Sequence, residues 1–142
     1  MGRINSKKAF HNGIEFDSAT ECEYYKYLLT DCEVREIVLQ PQYTLVKAFT
    51  LPCRNCEKGK VESPKTGNLI KCLPCKGTGV KTRQPWTYKA DFRVTYHDGR
   101  VEVVDVKGWA NERFPLVRKM FEYTQGVELM VVKRVKGGWK YV

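Results

Sequence analysis

The sequence predicts an α/β (α+β) fold, a central mixed β-sheet flanked by helices, with elements in the order α-β-β-(cysteine-bearing insert)-β-β-α-β. Three observations lead there. Two segments carry helical apolar spacing, several short runs are rich in aromatic and β-branched residues, and two Cys-x2-Cys sequences interrupt those runs. The length of 142 residues suits one domain with a core of its own.

Ser18 is placed to cap a helix ending near Leu29, with Asp31 and Cys32 in the turn that follows. Strands are expected over 34–39 and 43–49, separated by Gln40-Pro41. The insert, residues 52–83, comes next. Two further strands, 86–96 and 100–106, flank the turn signal His97-Asp98-Gly99 and form a β-hairpin. Gly108 to Asn111 form a loop, and a second helix over 112–125 tolerates Pro115 in its first turn. A strand over 127–135, a Gly137-Gly138 turn and an edge strand over 139–142 complete the sheet. On the first helix, with side chains about 100° apart, Cys22, Tyr24, Tyr25, Leu28 and Leu29 share one face. Glu21 lies in the middle of that face, and Glu23 lies opposite.

The hairpin carries the chemistry. If His97-Asp98-Gly99 forms the loop, Tyr96 faces Arg100, and Asp91 then faces Asp105. Lys107 shares their face because side chains alternate with period two. A two-residue Asp98-Gly99 turn would slip the register by one and leave the acids close but unpaired. Two acids side by side repel. A divalent cation removes that penalty, and hard oxygen ligands suit Mg²⁺ or Mn²⁺. An ammonium such as Lys107 can orient a water or stabilise a developing oxyanion. The plainer alternative is an exposed face on which the acids pair with Lys89, Arg93 or Lys107. Against it, Val101, Val103, Val104 and Val106 are apolar on both faces of their strand, the pattern of a buried central strand. Glu21 faces the sheet as a further metal ligand or water-positioner, or else closes a capping box with Ser18.

Cys53-x2-Cys56 and Cys72-x2-Cys75 have the spacing of a four-thiolate Zn²⁺ site, with Gly59, Gly77 and Gly79 available for the turns. Four thiolates leave no open coordination position, so the role expected is structural. Cys22 and Cys32 are expected to be small buried or half-buried residues. The chain's net charge is +9, and such an excess points to a polyanionic partner, nucleic acid ahead of a membrane surface. Much of it lies in the insert, where Arg54, Lys58, Lys60, Lys65, Lys71, Lys76, Lys81 and Arg83 face only Glu57 and Glu62. That density on a small rigid module suits contact with a phosphate backbone. Residues 1–10 are polar and basic with no apolar core, and no apolar run reaches membrane-spanning length, so a cytoplasmic location with reduced thiols is expected. His11 and His97 lack metal or triad spacing, and a Gly-rich phosphate loop is absent, which argues against nucleotide hydrolysis.

Phe16-Asp17-Ser18-Ala19-Thr20-Glu21, Thr87-Tyr88-Lys89-Ala90-Asp91-Phe92 and Asp105-Val106-Lys107-Gly108-Trp109 together resemble the PD-(D/E)XK nuclease superfamily. Within it, the layout is similar to the phage endonuclease I type of Holliday junction resolvase. Ala90 stands where that family usually has proline, and the zinc insert is not a feature the family requires. The resemblance implies a restriction-endonuclease-like core and Mg²⁺-dependent hydrolysis of DNA phosphodiesters on branched DNA. Asp91, Asp105, the Val106 carbonyl and Glu21 would bind the metal, and Lys107 would position the attacking water. It further implies a homodimer, and for a phage-encoded protein the bacterial host cytoplasm. Gln40 and Tyr43 resemble a Gln-Tyr feature of related nucleases, but the preferred reading is a strand end and a core aromatic. Lys119 on the second helix is read as an exposed helical lysine rather than one facing the site. A different class, a non-catalytic zinc-ribbon DNA-binding adaptor, would have the same cysteines and structural acids. Cys72-x2-Cys75-x-Gly77-x-Gly79 alone also resembles the zinc repeats of DnaJ-type chaperones.

Overall fold

The computed structural model describes residues 7–108 and 113–142. They fall into two compact units, Met1–Tyr43 with Tyr88–Val142, and Thr44–Thr87. The first unit opens with a hairpin of β1 (Ala9–His11) and β2 (Ile14–Phe16), which the sequence reading missed. Its turn is Asn12-Gly13, both at positive φ (51° and 78°), a conformation those two residues accept readily. Helix α1 (Ala19–Thr30) follows. Ser18 caps it from an extended conformation, its hydroxyl accepting the Glu21 N–H at 3.1 Å. Strand β3 (Val34–Leu39) comes next, and β4 (Gln42–Val46) begins in the first unit and continues into the second.

The second unit contains β5 (Phe49–Pro52), β6 (Lys60–Glu62), β7 (Leu69–Lys71) and β8 (Val80–Arg83). They pair antiparallel as β5–β8 and β6–β7. β9 (Trp86–Lys89) pairs with β4, and the chain continues through β10 (Phe92–Tyr96) and β11 (Val101–Lys107). Helix α2 (Phe114–Gln125) ends on Gly126 at φ 70°, and β12 (Leu129–Val135) and β13 (Gly138–Tyr141) close the fold. The expected loop residues 109–111 and the expected helix start at Glu112 lie outside the described residues.

The central sheet has the order β13-β12-β11-β10-β3. It is mixed: β3, β10 and β11 run antiparallel in turn, β12 is parallel to β11, and β13 is antiparallel to β12. The parallel step needs a long crossover, and α2 lies within it. Cys22, Tyr24 and Leu28 of α1, with Phe16, pack on Phe92, Val94, Tyr96, Val104, Val106 and Val132. The Tyr24 and Trp139 rings meet edge-on with centroids 4.9 Å apart. Residues alternating with these point to the other face, where Phe121 of α2 is fully buried against Tyr43 and Tyr88 (centroids 5.0 and 5.9 Å). β11 is therefore central, as its two-faced valines require, although Val101 at the hairpin end is exposed.

Several expectations are corrected. Of the two strands expected between α1 and the insert, only β3 joins the central sheet. At Gln40 (φ 49°) and Pro41, which has no N–H to give to a ladder, the chain turns out of it, and β4 and β5 belong to other sheets. The expected arm 86–96 is also two strands, broken at Ala90 and Asp91. The fork is stitched by the Gln40 N–H to the Asp91 carbonyl (2.9 Å) and the Ala90 N–H to the Pro41 carbonyl (3.0 Å). Leu29, placed on the apolar face of α1, is 49% exposed, and Cys32 is exposed while Cys22 is buried. No helix among the described residues is long and apolar enough to cross a membrane.

Candidate functional site

The hairpin takes the first of its two possible registers. The Tyr96 N–H donates to the Arg100 carbonyl at 2.8 Å, Gly99 sits at φ 89°, and the ladder runs from Thr95↔Val101 to Phe92↔Val104. Asp91 is one step further. It has left the strand, yet its N–H still donates to the Val104 carbonyl (3.1 Å), and its Oδ2 accepts the Val106 N–H at 2.7 Å. Asp91 and Asp105 are thus neighbours at the end of two paired strands. The part of Val106 that reaches Asp91 is its amide.

Asp105 is 7% exposed and held from two sides. The Tyr88 hydroxyl donates to its Oδ1 at 3.0 Å, and the Lys107 ammonium lies 3.0 Å from its Oδ2. The lysine contact has poor hydrogen-bond geometry, so this buried oxygen lacks a directed donor. Lys107 Nζ also sits 3.3 Å from the centroid of the Phe114 ring of α2, a cation–π contact. The reading from sequence missed Tyr88. In one continuous strand Tyr88 and Asp91 point to opposite faces, and the break at Ala90 lets both reach Asp105.

Burial, then the charges of Asp105 and Glu21, push the Asp91 carboxyl far above its ordinary range, to about 8, against the opposing pull of the Val106 amide. Glu21 is raised by half-burial and by Asp17, partly countered by the Ser18 hydroxyl, with Asp105 adding a little. Glu21 and Asp91 line one cavity of about 90 Å³ with Glu15, Gln40 and apolar neighbours. Glu15 was not anticipated. Gln40 donates to Asp17 Oδ2 at 3.2 Å, and Tyr43 serves as a packing aromatic whose buried hydroxyl makes no hydrogen bond. Lys119 is exposed on α2.

In the second unit the Sγ atoms of Cys53, Cys56, Cys72 and Cys75 all lie within 4.8 Å of one another. Cys53–Cys72 is 3.9 Å and Cys56–Cys75 is 3.6 Å, and no pair is a disulfide. A tetrahedron with metal–sulfur bonds of about 2.3 Å has edges of about 3.8 Å, so the four sulfurs fit a metal such as zinc. The two turns brace each other: the Cys53 N–H donates to the Gly79 carbonyl and the Cys72 N–H to the Gly59 carbonyl, both at 2.9 Å. Gly59 (φ 87°) is required, because a Cβ there would collide with the Gly77 carbonyl oxygen. Burial raises the Cys75 thiol, but the Gly79 amide and neighbouring donors outweigh it and bring it down to about 6. Among the described residues, no other set of three or more His, Cys, Asp or Glu ligand atoms is gathered this closely.

A family model covers residues 1–141. The chain belongs to the DUF1064 family, described as a protein of unknown function. No curated protein and no solved structure matches it. In this DUF1064 member the expected site residues are distributed as follows. Glu21, Asp91, Asp105 and Lys107 come together in the first unit. The eight basic residues of the insert all lie in the second, seven exposed and Lys81 half-buried, and none makes an ion pair among the described residues.

Proposed function

We propose that this DUF1064 member is a metal-dependent DNA endonuclease that hydrolyses phosphodiester bonds through Glu21, Asp91, Asp105 and Lys107. One observation carries the reading. A buried carboxylate, Asp105, and a half-buried one, Asp91, are neighbours, with a third acid beside Asp91 and a lysine on the Asp105 strand. Desolvation, followed by the charges of Asp105 and Glu21, makes Asp91 hold its proton near neutral pH. Such an arrangement is stable at physiological pH with a cation between the acids and strained without one. The order α1-β3-β10-β11-α2-β12 supports reading the first unit as a restriction-endonuclease-like core.

Asp91, Asp105 and Glu21, with the Val106 carbonyl, would hold Mg²⁺ or Mn²⁺, hard cations that suit oxygen ligands. When bound, the ion would offset the carboxylate charges and polarise a phosphoryl oxygen. The residues do the rest. Tyr88 fixes Asp105 through Oδ1, so that Oδ2, now paired with Lys107, would be the oxygen to ligate. The Val106 amide fixes Asp91. Lys107, released from Asp105, holds the attacking water in line with the phosphorus and stabilises the developing negative charge. The cysteine cluster would hold a structural Zn²⁺, and the unpaired basic residues of that unit would grip the phosphate backbone. Branched DNA as substrate, a homodimer acting on two strands, and a setting in phage DNA processing within a bacterial cytoplasm extend the same reading.

The Lys107–Asp105 ion pair at 3.0 Å favours a second reading, because it offsets the acid without any metal. On that reading the protein is a non-catalytic zinc-ribbon DNA-binding adaptor. Labelled four-way junction and matching linear duplex, incubated with zinc-loaded protein with and without Mg²⁺, separate the two. The nuclease reading expects Mg²⁺-dependent cutting of the junction that Asp105→Ala abolishes, a loss of at least ~10³-fold for a metal-ligand carboxylate. Cutting of duplex alone would discard the branched-DNA preference. Tight binding without cutting in Mg²⁺ or Mn²⁺ would leave the adaptor.

A further inference from the structure

We propose that Lys133 and Lys140, in line with Lys107, form a track that carries the nucleic-acid backbone away from the carboxylate site across β11, β12 and β13. The inference rests on the nuclease reading for the identity of its substrate.

The register sets the three lysines in a row. Lys107 pairs with Lys133 across the parallel β11–β12 ladder, and Lys133 pairs with Lys140 across β12–β13. Cross-strand partners share a face, so all three lie on the face that bears Asp105, which itself pairs with Val131. Like charges directly opposite destabilise a sheet, and here that happens twice in succession. Lys133 and Lys140 are exposed, and neither side chain makes an ion pair or hydrogen bond among the described residues. A lysine on the edge strand β13 can serve to block edge pairing. That role does not explain Lys133, which lies inside the sheet.

A cavity of about 370 Å³ lies beside the first two lysines of the row, lined by Lys107, Phe114, Arg118, Val131 and Lys133. Arg118 is committed to Glu122 and Glu128, and it donates to the Val142 carbonyl, so the lysines supply the free charge there. Strands are about 4.8 Å apart, which makes the row about 10 Å long, enough for Lys133 and Lys140 to meet successive phosphates of one strand. The first lysine of the row touches Asp105, so the phosphates beyond it continue the strand whose phosphodiester occupies the site.

The test uses Lys133→Gln/Lys140→Gln and Lys133→Arg/Lys140→Arg. Affinity for labelled junction and duplex DNA is measured against salt, and single-turnover cleavage against enzyme concentration. The Gln pair is expected to bind more weakly and to reduce the slope of log affinity against log salt by about 1.8, from about 0.9 per duplex phosphate contact. It should raise KM with little change in kcat, and the Arg pair should restore both. Methylphosphonates placed on one side only of the scissile phosphate should reproduce the loss in wild type and add little in the Gln pair. Removing the repulsion should leave the melting temperature equal or higher, so a folding defect would be recognised. Unchanged affinity and slope, with cleavage intact, would overturn the track and leave the nuclease reading standing. Lysine-dependent binding without any cleavage would do the reverse.

Discussion

Asp91→Asn should make the zinc-loaded, Mg²⁺-free protein more stable at pH 8, by several kcal/mol in a urea titration. The carboxyl is pushed up to about 8 by burial, then by Asp105 and Glu21. The sign follows from which state binds the proton more tightly. In the unfolded chain Asp91 ionises near pH 4, whereas in the fold it keeps its proton until about pH 8. Its favourable contribution is therefore complete below pH 4 and is lost as pH rises toward 8, the reverse of a salt-bridged aspartate. Asparagine keeps an acceptor for the Val106 amide and has no charge to bury. The advantage of the variant should grow from pH 4 to pH 8. Added Mg²⁺ should then stabilise wild type at pH 8 and leave Asp91→Asn unmoved. A pH-independent difference between the two proteins would mean that Asp91 is not under the electrostatic load described.

The other large effect is expected at the cysteines. Cys72 is 1% exposed, and its amide ties one turn of the cluster to the other. Cys72→Ser should remove the metal: one zinc per chain in wild type and none in the variant by elemental analysis. Metal binding is worth about 10–16 kcal/mol in small zinc-dependent folds. The buried cluster around the metal site is Cys53, Cys72 and Cys75, with Cys56 and Val61 packed alongside. Limited proteolysis should then cut within Thr44–Thr87, where wild type resists. A full zinc complement in Cys72→Ser would show that the four thiols do not act as one site.

What could be read from the residues follows from how local each signal is. Ser18 as a cap, the three-residue hairpin turn and the two Cys-x2-Cys sequences depend on a few adjacent residues, and each holds in the structure. Once the turn was set, the register placed Asp91 beside Asp105 without further information. The valines on both faces of 101–106 marked β11 as central, because only a covered strand can carry apolar residues on both sides. The fork was harder to foresee. Residues 86–96 have strand composition throughout, and nothing local in Ala90-Asp91 shows that the chain changes partners there. Pro41 is the only mark of it, on the opposite strand. Tyr88 was missed for the same reason, since its reach to Asp105 depends on the break. Glu15 and Leu29 depended on tertiary contacts that helical and strand periods do not encode. The Asn12-Gly13 hairpin was legible, and only its short strands hid it.

The central claim is that the neighbouring carboxylates Asp91 and Asp105 are built to hold a catalytic cation. Crystals of the zinc-loaded protein soaked in Mn²⁺, with anomalous diffraction recorded on either side of the manganese edge, test it most directly. The account predicts a manganese ion about 2.2 Å from oxygens of both Asp91 and Asp105, with Lys107 Nζ displaced from Asp105 Oδ2. An empty site, with Lys107 still paired to Asp105 at saturating Mn²⁺, would contradict it.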